Sequence, residues 1–375
     1  MRITILTGPF SSIPPYSIGA VEKLWYLVGG LLSDNNNVVF VSKKVGDAKG
    51  DNRAIYIKGY ERSGSWLKDF LLDFIYSLRA LKAAPKSDII ILNSIWSPIL
   101  FPLFKKKLHH ALYNVARFPK KQLKYYSKVD CLACVSTAVY KAAISQSPQI
   151  SNITCVIPNP VNTLIYNREF PKECSASPIV VYSGRVHREK GLEILVKAID
   201  CLNKGGLPVG LYVIGARDIA NGGSGAAYID DLNSLAESFD IKWIDPIYEP
   251  ERLANEMDKG DIFCYPSIAE KGETFGVAPL EAMGLGLPTI VSDLDCFKDF
   301  VEDGKNGFVF DHKDKDSHLL VAEIISRLIS DTLLYKSVSF GGIETSRRFS
   351  VENIASMYYE RIKDIVKDGT SGDEE

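Results

Sequence analysis

The 375-residue chain lacks a surplus of either charge: 44 lysines and arginines face 46 aspartates and glutamates, for a formal net charge of -2. That balance excludes a general polyanion binder while leaving room for local basic patches. No apolar run reaches the ~18 to 20 residues needed to span a bilayer. The first strand, Ile3 to Leu6, has no charged leader before it, so a cytoplasmic location is expected. Cysteine is sparse and odd in number, seven in all and widely spread, which suits free thiols better than a disulfide framework. Cys131 and Cys134 do form a CxxC. In DCLACVS they lie in an apolar strand with no second CxxC and no histidine at a zinc spacing, so both are assigned to the core. The five histidines do not cluster, and adjacent His109 and His110 diverge in any regular element. TGPFSS after the first strand is not GxGxxG, which argues against a nicotinamide-dependent oxidoreductase.

What the chain does have is apolar content, 46%, and length enough to bury two cores. Apolar runs of strand length fall near 2–7, 38–42, 88–92, 111–116, 130–135 and 153–157, and again near 179–183, 209–214, 241–244, 261–264 and 289–292. Helix-period segments separate them, such as Val21, Leu24, Trp25, Val28 and Leu31. Continuous apolar strands alternating with helices indicate parallel sheets covered on both faces. Pro158, Pro160, Pro171 and Pro178 interrupt the rhythm, so 158–178 is expected to link two doubly wound Rossmann-like domains. No repeat of 20 to 50 residues is present.

Two segments carry chemistry. In EKGETFGVAPLEAMGLGLPTIVSD, residues 270–293, Phe275-Gly276 opens an amphipathic helix that Gly284, Gly286 and Pro288 end. Its first turn offers free N–H groups and the positive end of a dipole to an anion such as a diphosphate. Glu281 lies five residues into the helix, ~7.5 Å along the axis, about the offset from a nucleotide's phosphates to its ribose hydroxyls. Residues 178–199 form a strand, a turn at Ser183-Gly184, then Arg185 and Lys190 before a helix that opens at Gly191. A guanidinium fork and an ammonium point charge beside such a turn suit a diphosphate. Each residue alone is more often a solvated charge.

Gly184-Arg185 with Lys190-Gly191, the pair Glu273 and Glu281 at E-x7-E spacing, Pro266-Ser267 before it, and Ala282-Met283 with Gly286-Leu287-Pro288 after it resemble the retaining glycosyltransferases of family 4, the group 1 glycosyltransferases. Weaker matches are Gly19-Ala20-Val21-Glu22, which resembles a GG-x-E motif with its second glycine replaced, Ser136 and Asn159. The resemblance implies the GT-B fold. It implies a diphosphate held by Arg185, Lys190 and the Gly276-Val277 backbone, a ribose on Glu281, and donor-sugar hydroxyls on Glu273. It also implies an acceptor-side domain over 1–165, a nucleotide-sugar-binding domain over 166–349, and a C-terminal helix and short acidic tail over 350–375 that cross back to the first domain. Where the family commonly places histidines near the donor sugar, this chain has Asn93 and Asn114, so no histidine base is assigned. Glu270 lies close to Glu273, which leaves two carboxylates for one sugar.

From Phe101 to Lys128 eight cations occur without an acid, interleaved with aromatics. Either a solvated face or a contact with an anionic membrane fits. No RNA-binding signature accompanies them. The expected activity is retaining, metal-independent transfer from a UDP-, GDP- or dTDP-sugar to a glycan or lipid-diphosphate-linked acceptor, in polysaccharide or glycolipid assembly, with no cofactor. A GT-B-fold sugar-nucleotide epimerase and a catalytically inactive sugar-nucleotide binder are the alternatives.

Overall fold

The computed structural model describes residues 1–15, 20–44 and 50–370. Gly19 and the last five residues of the acidic tail lie outside them. The chain forms two compact units, one of Met1–Asn159 with the segment from Val351, the other of Pro160–Ser350.

Unit 1 contains, in chain order, β1 (Arg2–Leu6), α1 (Ala20–Leu32), β2 (Asn37–Lys43), β3 (Ala54–Ile57), α2 (Trp66–Ala83), β4 (Ser87–Leu92), α3 (Ser97–Leu100), β5 (Leu108–Val115), β6 (Cys131–Cys134), α4 (Thr137–Gln146) and β7 (Thr154–Val156). The strands make one parallel sheet in the order β3-β2-β1-β4-β5-β6-β7. Its central strands read Ile-Thr-Ile-Leu and Ile-Ile-Ile-Leu and are buried on both faces, as a parallel sheet between helices requires. Unit 2 contains β8 (Ile179–Ser183), α5 (Leu192–Lys204), β9 (Gly210–Ile214), α6 (Ala226–Leu235), β10 (Ile241–Ile244), α7 (Pro250–Met257), β11 (Ile262–Tyr265), α8 (Val277–Gly284), β12 (Thr289–Ser292), β13 (Phe308–Phe310), α9 (Ser317–Ser330) and α10 (Thr332–Arg348). Its parallel sheet has the order β10-β9-β8-β11-β12-β13. The chain then returns to unit 1 as α11 (Val351–Thr370), where Tyr358 packs on Trp25 of α1 at 4.7 Å between ring centroids.

Three features differ from the sequence expectation. β3 and β13 were not expected, the first a four-residue edge strand, Ala-Ile-Tyr-Ile, with no fully buried side chain, the second three residues long. The segment 160–178 is not a free linker: the units part at Asn159/Pro160, and the chain beyond that point is stitched to unit 2. Arg168 Nε donates to the Leu285 carbonyl at 2.8 Å, and buried Asp261 accepts from the Ser175 and Ile179 amides at 2.9 Å. The prolines therefore mark a chain fastened to unit 2, not one left loose. Thirdly, Cys131 is more than core filling. Its thiol lies 3.5 Å from the Cys155 sulfur and accepts from Arg361 Nε at 3.4 Å, contacts that hold it down at about 7. Cys134 is simply buried, and desolvation pushes it up to about 12.

Candidate functional site

In both sheets the strand order reverses at one point, between β1 and β4 in unit 1 and between β8 and β11 in unit 2. Open parallel sheets bind ligands beyond the carboxyl ends of the strands at such a switch point. In unit 2 the segment leaving β8 carries Gly184, Arg185 and Lys190, and the segment leaving β11 carries Pro266, Ser267, Glu270 and Glu273. The topology thus brings the two motif segments to one place.

The glycines there are required by close backbone approach. A Cβ on Gly215, at the end of β9, would lie 1.8 Å from the Gly184 carbonyl oxygen, so two strand ends meet with main chain against main chain. Gly191 has φ +65°, and a Cβ there would stand 2.2 Å from the Pro266 carbonyl. Only glycine allows that contact, and it sets Lys190 at the mouth of α5. Gly276, with φ +84°, opens α8, and a Cβ there would lie 2.5 Å from Phe297. The first N–H groups of α8 follow from it without an intrahelical partner.

Lys190 and Glu273 form a buried ion pair, Nζ to Oε2 at 2.6 Å, with side chains 7% and 11% exposed. The ammonium also lies over the Tyr265 ring, 5.3 Å from its centroid. The Tyr265 hydroxyl is shifted far upward by burial first and by the Glu273 carboxylate second. Arg185 is half-exposed and turned along its own turn, donating to Glu189 Oε1 at 2.8 Å and to the Gly222 carbonyl at 3.1 Å. The two cations of the sequence motif are therefore each matched by a carboxylate. Glu281, in α8, stands beside Tyr166, whose hydroxyl is pushed up by burial and by that carboxylate. Phe275 is a core residue, buried against Phe300 and Phe349, so only its backbone could meet a ligand.

The structure separates the two candidate carboxylates before α8. Glu270 is exposed and pairs with Lys313 at 2.5 Å, with His312 Nε2 3.8 Å away. Lys313 draws its carboxyl below the usual range. Glu273 is the one on Lys190. His312 also pairs with Asp293, and ligand atoms of Asp293, Asp311 and His312 lie within 4.8 Å of one another, a grouping that the histidine spacing did not show.

In unit 1, Asn93 follows β4 at that sheet's switch point. Its Oδ1 accepts from Trp25 Nε1 at 2.7 Å and from Asn114 Nδ2 at 3.3 Å, and its Nδ2 donates to the Leu6 carbonyl at 2.9 Å. Asn93 and Asn114 are thus joined, Asn93 as a brace between β1, α1 and β5, and Asn114 with a buried Oδ1 that has no protein partner. Sequence reasoning missed Glu189, Gly215, Tyr265 and Tyr166. Gly215 had a visible signal, a glycine directly after an apolar strand, as at Gly184. Tyr166 had none, because 115 positions separate it from Glu281.

Two doubly wound parallel units of this kind, with a glycine-opened helix at the second switch point, define the GT-B fold. The structure of Anabaena Alr3699/HepE in complex with UDP-glucose superposes with a TM-score of 0.72 at 18% identity, over 97% of this chain and all of that one. Residues 167–341 match the family of glycosyl transferases group 1. The chain is 26% identical over 50% of its length to the capsular polysaccharide biosynthesis glycosyltransferase CapM of Staphylococcus aureus. It is 28% identical over 47% of its length to a phosphatidyl-myo-inositol mannosyltransferase of Mycobacterium leprae. The matches span 47% and 44% of those relatives, about half of their length. Among the described residues no helix is long and apolar enough to cross a membrane.

Proposed function

We propose that the chain transfers a sugar, with retention of anomeric configuration, from a nucleotide-diphosphate sugar to a glycan or lipid-diphosphate-linked acceptor. The observation that carries this reading is the buried Lys190–Glu273 pair at the switch point of unit 2, next to the Gly276 opening of α8. A diphosphate entering there competes with Glu273 for the ammonium. Glu273, released from Lys190, is then free to accept from donor-sugar hydroxyls, while Glu281 accepts from the ribose. Arg185 has to exchange Glu189 for phosphate oxygens. As the bond from sugar to phosphate breaks, charge grows on the leaving diphosphate, and Lys190, Arg185 and the first N–H groups of α8 oppose it. With those groups supplying positive charge no metal ion is called for. The departing phosphate oxygen takes the acceptor's proton on the same face of the sugar, so Glu273 positions the sugar and does not attack it.

UDP bound to solved GT-B proteins, capsule assembly by one relative and a phosphatidyl-inositol acceptor for another support a UDP-sugar donor and an acceptor in surface polysaccharide or glycolipid assembly. The test is a thermal-shift screen of UDP-, GDP- and dTDP-sugars followed by transfer to polyprenyl-diphosphate-linked and lipid-headgroup acceptors, with the product anomer read by NMR. A sugar-nucleotide that stabilises the protein and yields a product of unchanged anomeric configuration supports the reading. Inversion at the anomeric carbon, epimerised nucleotide sugar, or binding without turnover for any acceptor overturns it.

A further inference from the structure

Unit 1 leaves an unusual amount of apolar surface uncovered in one place. α2 exposes Trp66 at 71% and Leu67 at 68%, and Leu71 beside them is exposed too. Leu67, Leu71, Phe74 and Leu78 follow at spacings of four, three and four, so they form one ridge of the helix. The ridge has a rigid base. Trp66 stacks on Phe70 at 5.7 Å, and the Trp96 ring contacts Phe70 at 4.9 Å and Phe74 at 5.2 Å. Trp96 Nε1 donates to the Phe70 carbonyl at 3.1 Å, and its amide donates to buried Asp73 at 3.1 Å. After Trp96 in the chain, Ile99 and Leu103 are also exposed, Leu103 at 75%. The Tyr126 hydroxyl, bonded to the Ile95 carbonyl at 2.6 Å, holds the turn with exposed Tyr125 next to it. The first turn of α2, Ile95-Trp96 and this turn follow β3, β4 and β5, the strand ends beyond which the sheet of unit 1 takes ligands.

Positive charges predominate around this surface. From Trp66 to Val129 the chain has 12 lysines and arginines and three acids, counted directly from the sequence. Of the three acids Asp73 is buried and Asp88 pairs with Arg2, while Asp69 accepts from Ser63 and keeps its charge. Lys68, Lys105, Lys106, Lys121 and Lys124 are exposed. A second copy of the chain laid on this face would bring like charges together. An apolar ridge with an aromatic at its end and a rim of lysines matches the surface of an anionic bilayer, where rings and leucines enter the interface and ammonium groups meet phosphates.

We propose that unit 1 docks on anionic lipid membranes through the first turns of α2, Trp66, Leu67 and Leu71, with exposed lysines of unit 1 on the headgroups. The stretch of cations from 101 to 128 is then one half of the surface, and α2 is the half that enters the membrane. Docking of this kind deepens the proposed lipid-linked acceptor and rests on that reading for its role, but it is measured without donor or acceptor. The full-length protein is sedimented with vesicles of phosphatidylcholine alone and with about 30% phosphatidylglycerol. Binding is expected to the anionic vesicles only, weakening as salt rises, and the Trp66 emission is expected to shift to the blue, a shift absent in Trp66→Phe. Trp66→Ala with Leu67→Ala and Leu71→Ala should weaken binding by roughly tenfold while leaving its salt dependence. Lys105→Glu with Lys106→Glu should weaken it by a similar factor and flatten the salt dependence. UDP affinity should be unchanged in both. No binding to anionic vesicles overturns the proposal, as does binding that the α2 variant leaves intact, or a dimer that the α2 variant splits without any effect on vesicles. Vesicle binding in a protein that ignores every nucleotide sugar would instead count against the donor reading alone.

Discussion

At the residue scale, Lys190 and Arg185 differ in what surrounds them, and their variants should differ accordingly. Lys190 is buried against Glu273, so Lys190→Ala leaves a carboxylate of low exposure without its cation. Removing one partner of such a pair costs about 3–5 kcal/mol of stability, and loss of the diphosphate contact should lower kcat/KM by roughly 10²-fold or more. Arg185 is half-exposed and pairs with half-exposed Glu189, a contact of small worth. Arg185→Ala should cut turnover by a similar factor while leaving the melting temperature within experimental error. Equal melting temperatures for the two variants would contradict the burial of the Lys190 pair; near-normal turnover in both would remove the diphosphate from these residues. Glu281→Gln should weaken UDP and UDP-sugar binding alike, by roughly tenfold or ~1.4 kcal/mol, whereas Glu273→Gln should spare UDP and impair the sugar. Arg185 and Lys190 were legible because they follow an apolar strand, and Glu273 and Glu281 because they flank the glycine that opens a helix. Their partners were not. Which carboxylate meets Lys190, Glu270 or Glu273, depends on the path of a five-residue loop, and that path is fixed by the Ile268 and Ser267 contacts to the Glu189 carbonyl.

At the scale of elements, the strand-helix alternation was legible for eleven strands, the edge strands β7 and β10 among them, and lost at short β3 and β13. The 158–178 segment misled because prolines mark extended backbone whether or not it is packed. What fastens it is a set of side-chain contacts to main chain, from Arg168 and Asp261, that no local pattern announces. α2 and the segment after β4 are joined in the same way, through Asp73. Its carboxyl is buried, and desolvation raises it above the ordinary value despite hydrogen bonds from the Trp96 amide and Ser77. A raised folded value means that the folded state holds the proton more tightly than the unfolded chain. The burial penalty is therefore in force above the folded value and is relieved as pH falls through it toward the ordinary range of about 4. Asp73→Asn keeps the acceptor for the Trp96 amide without the charge. Its melting temperature relative to wild type should be higher near about pH 8 than near about pH 4. A difference that stays constant over that range would show that the charge of Asp73 is not what the site accommodates.

At the scale of the whole molecule, two parallel sheets were legible from sequence because each unit repeats the same burial logic. The return of the chain to unit 1 through α11 depends on packing that repeats nothing. Tyr358 shows what that packing is worth: it is fully buried on Trp25, with a hydroxyl that has no protein partner. Tyr358→Phe should be neutral or slightly stabilising, while Tyr358→Ala should cost about 3–5 kcal/mol, both read by chemical denaturation. A large loss in the phenylalanine variant would mean that the hydroxyl is satisfied after all. The charge that balances a departing diphosphate also has to be placed at this scale. The overall formal charge is -2, so the molecule supplies no general positive field, and the balance has to be local. Two local sources compete: the cations and α8 opening at the ends of β8 and β11, and a metal on Asp293, Asp311 and His312 after β12 and β13. In the second group His312 is already paired with Asp293, and Glu270, the nearest further carboxylate, is taken by Lys313. A cation there would have to break the first pair or displace a lysine from the second, whereas at Lys190 and Arg185 the positive charges are in place and a diphosphate exchanges with their carboxylate partners. Turnover of the donor found in the thermal-shift screen should therefore survive EDTA within about twofold, and Asp311→Asn should behave like wild type within the same margin. Loss of turnover in chelator with recovery on Mn²⁺, abolished by Asp311→Asn, would assign the charge balance to the metal and reduce Lys190 to a structural partner of Glu273.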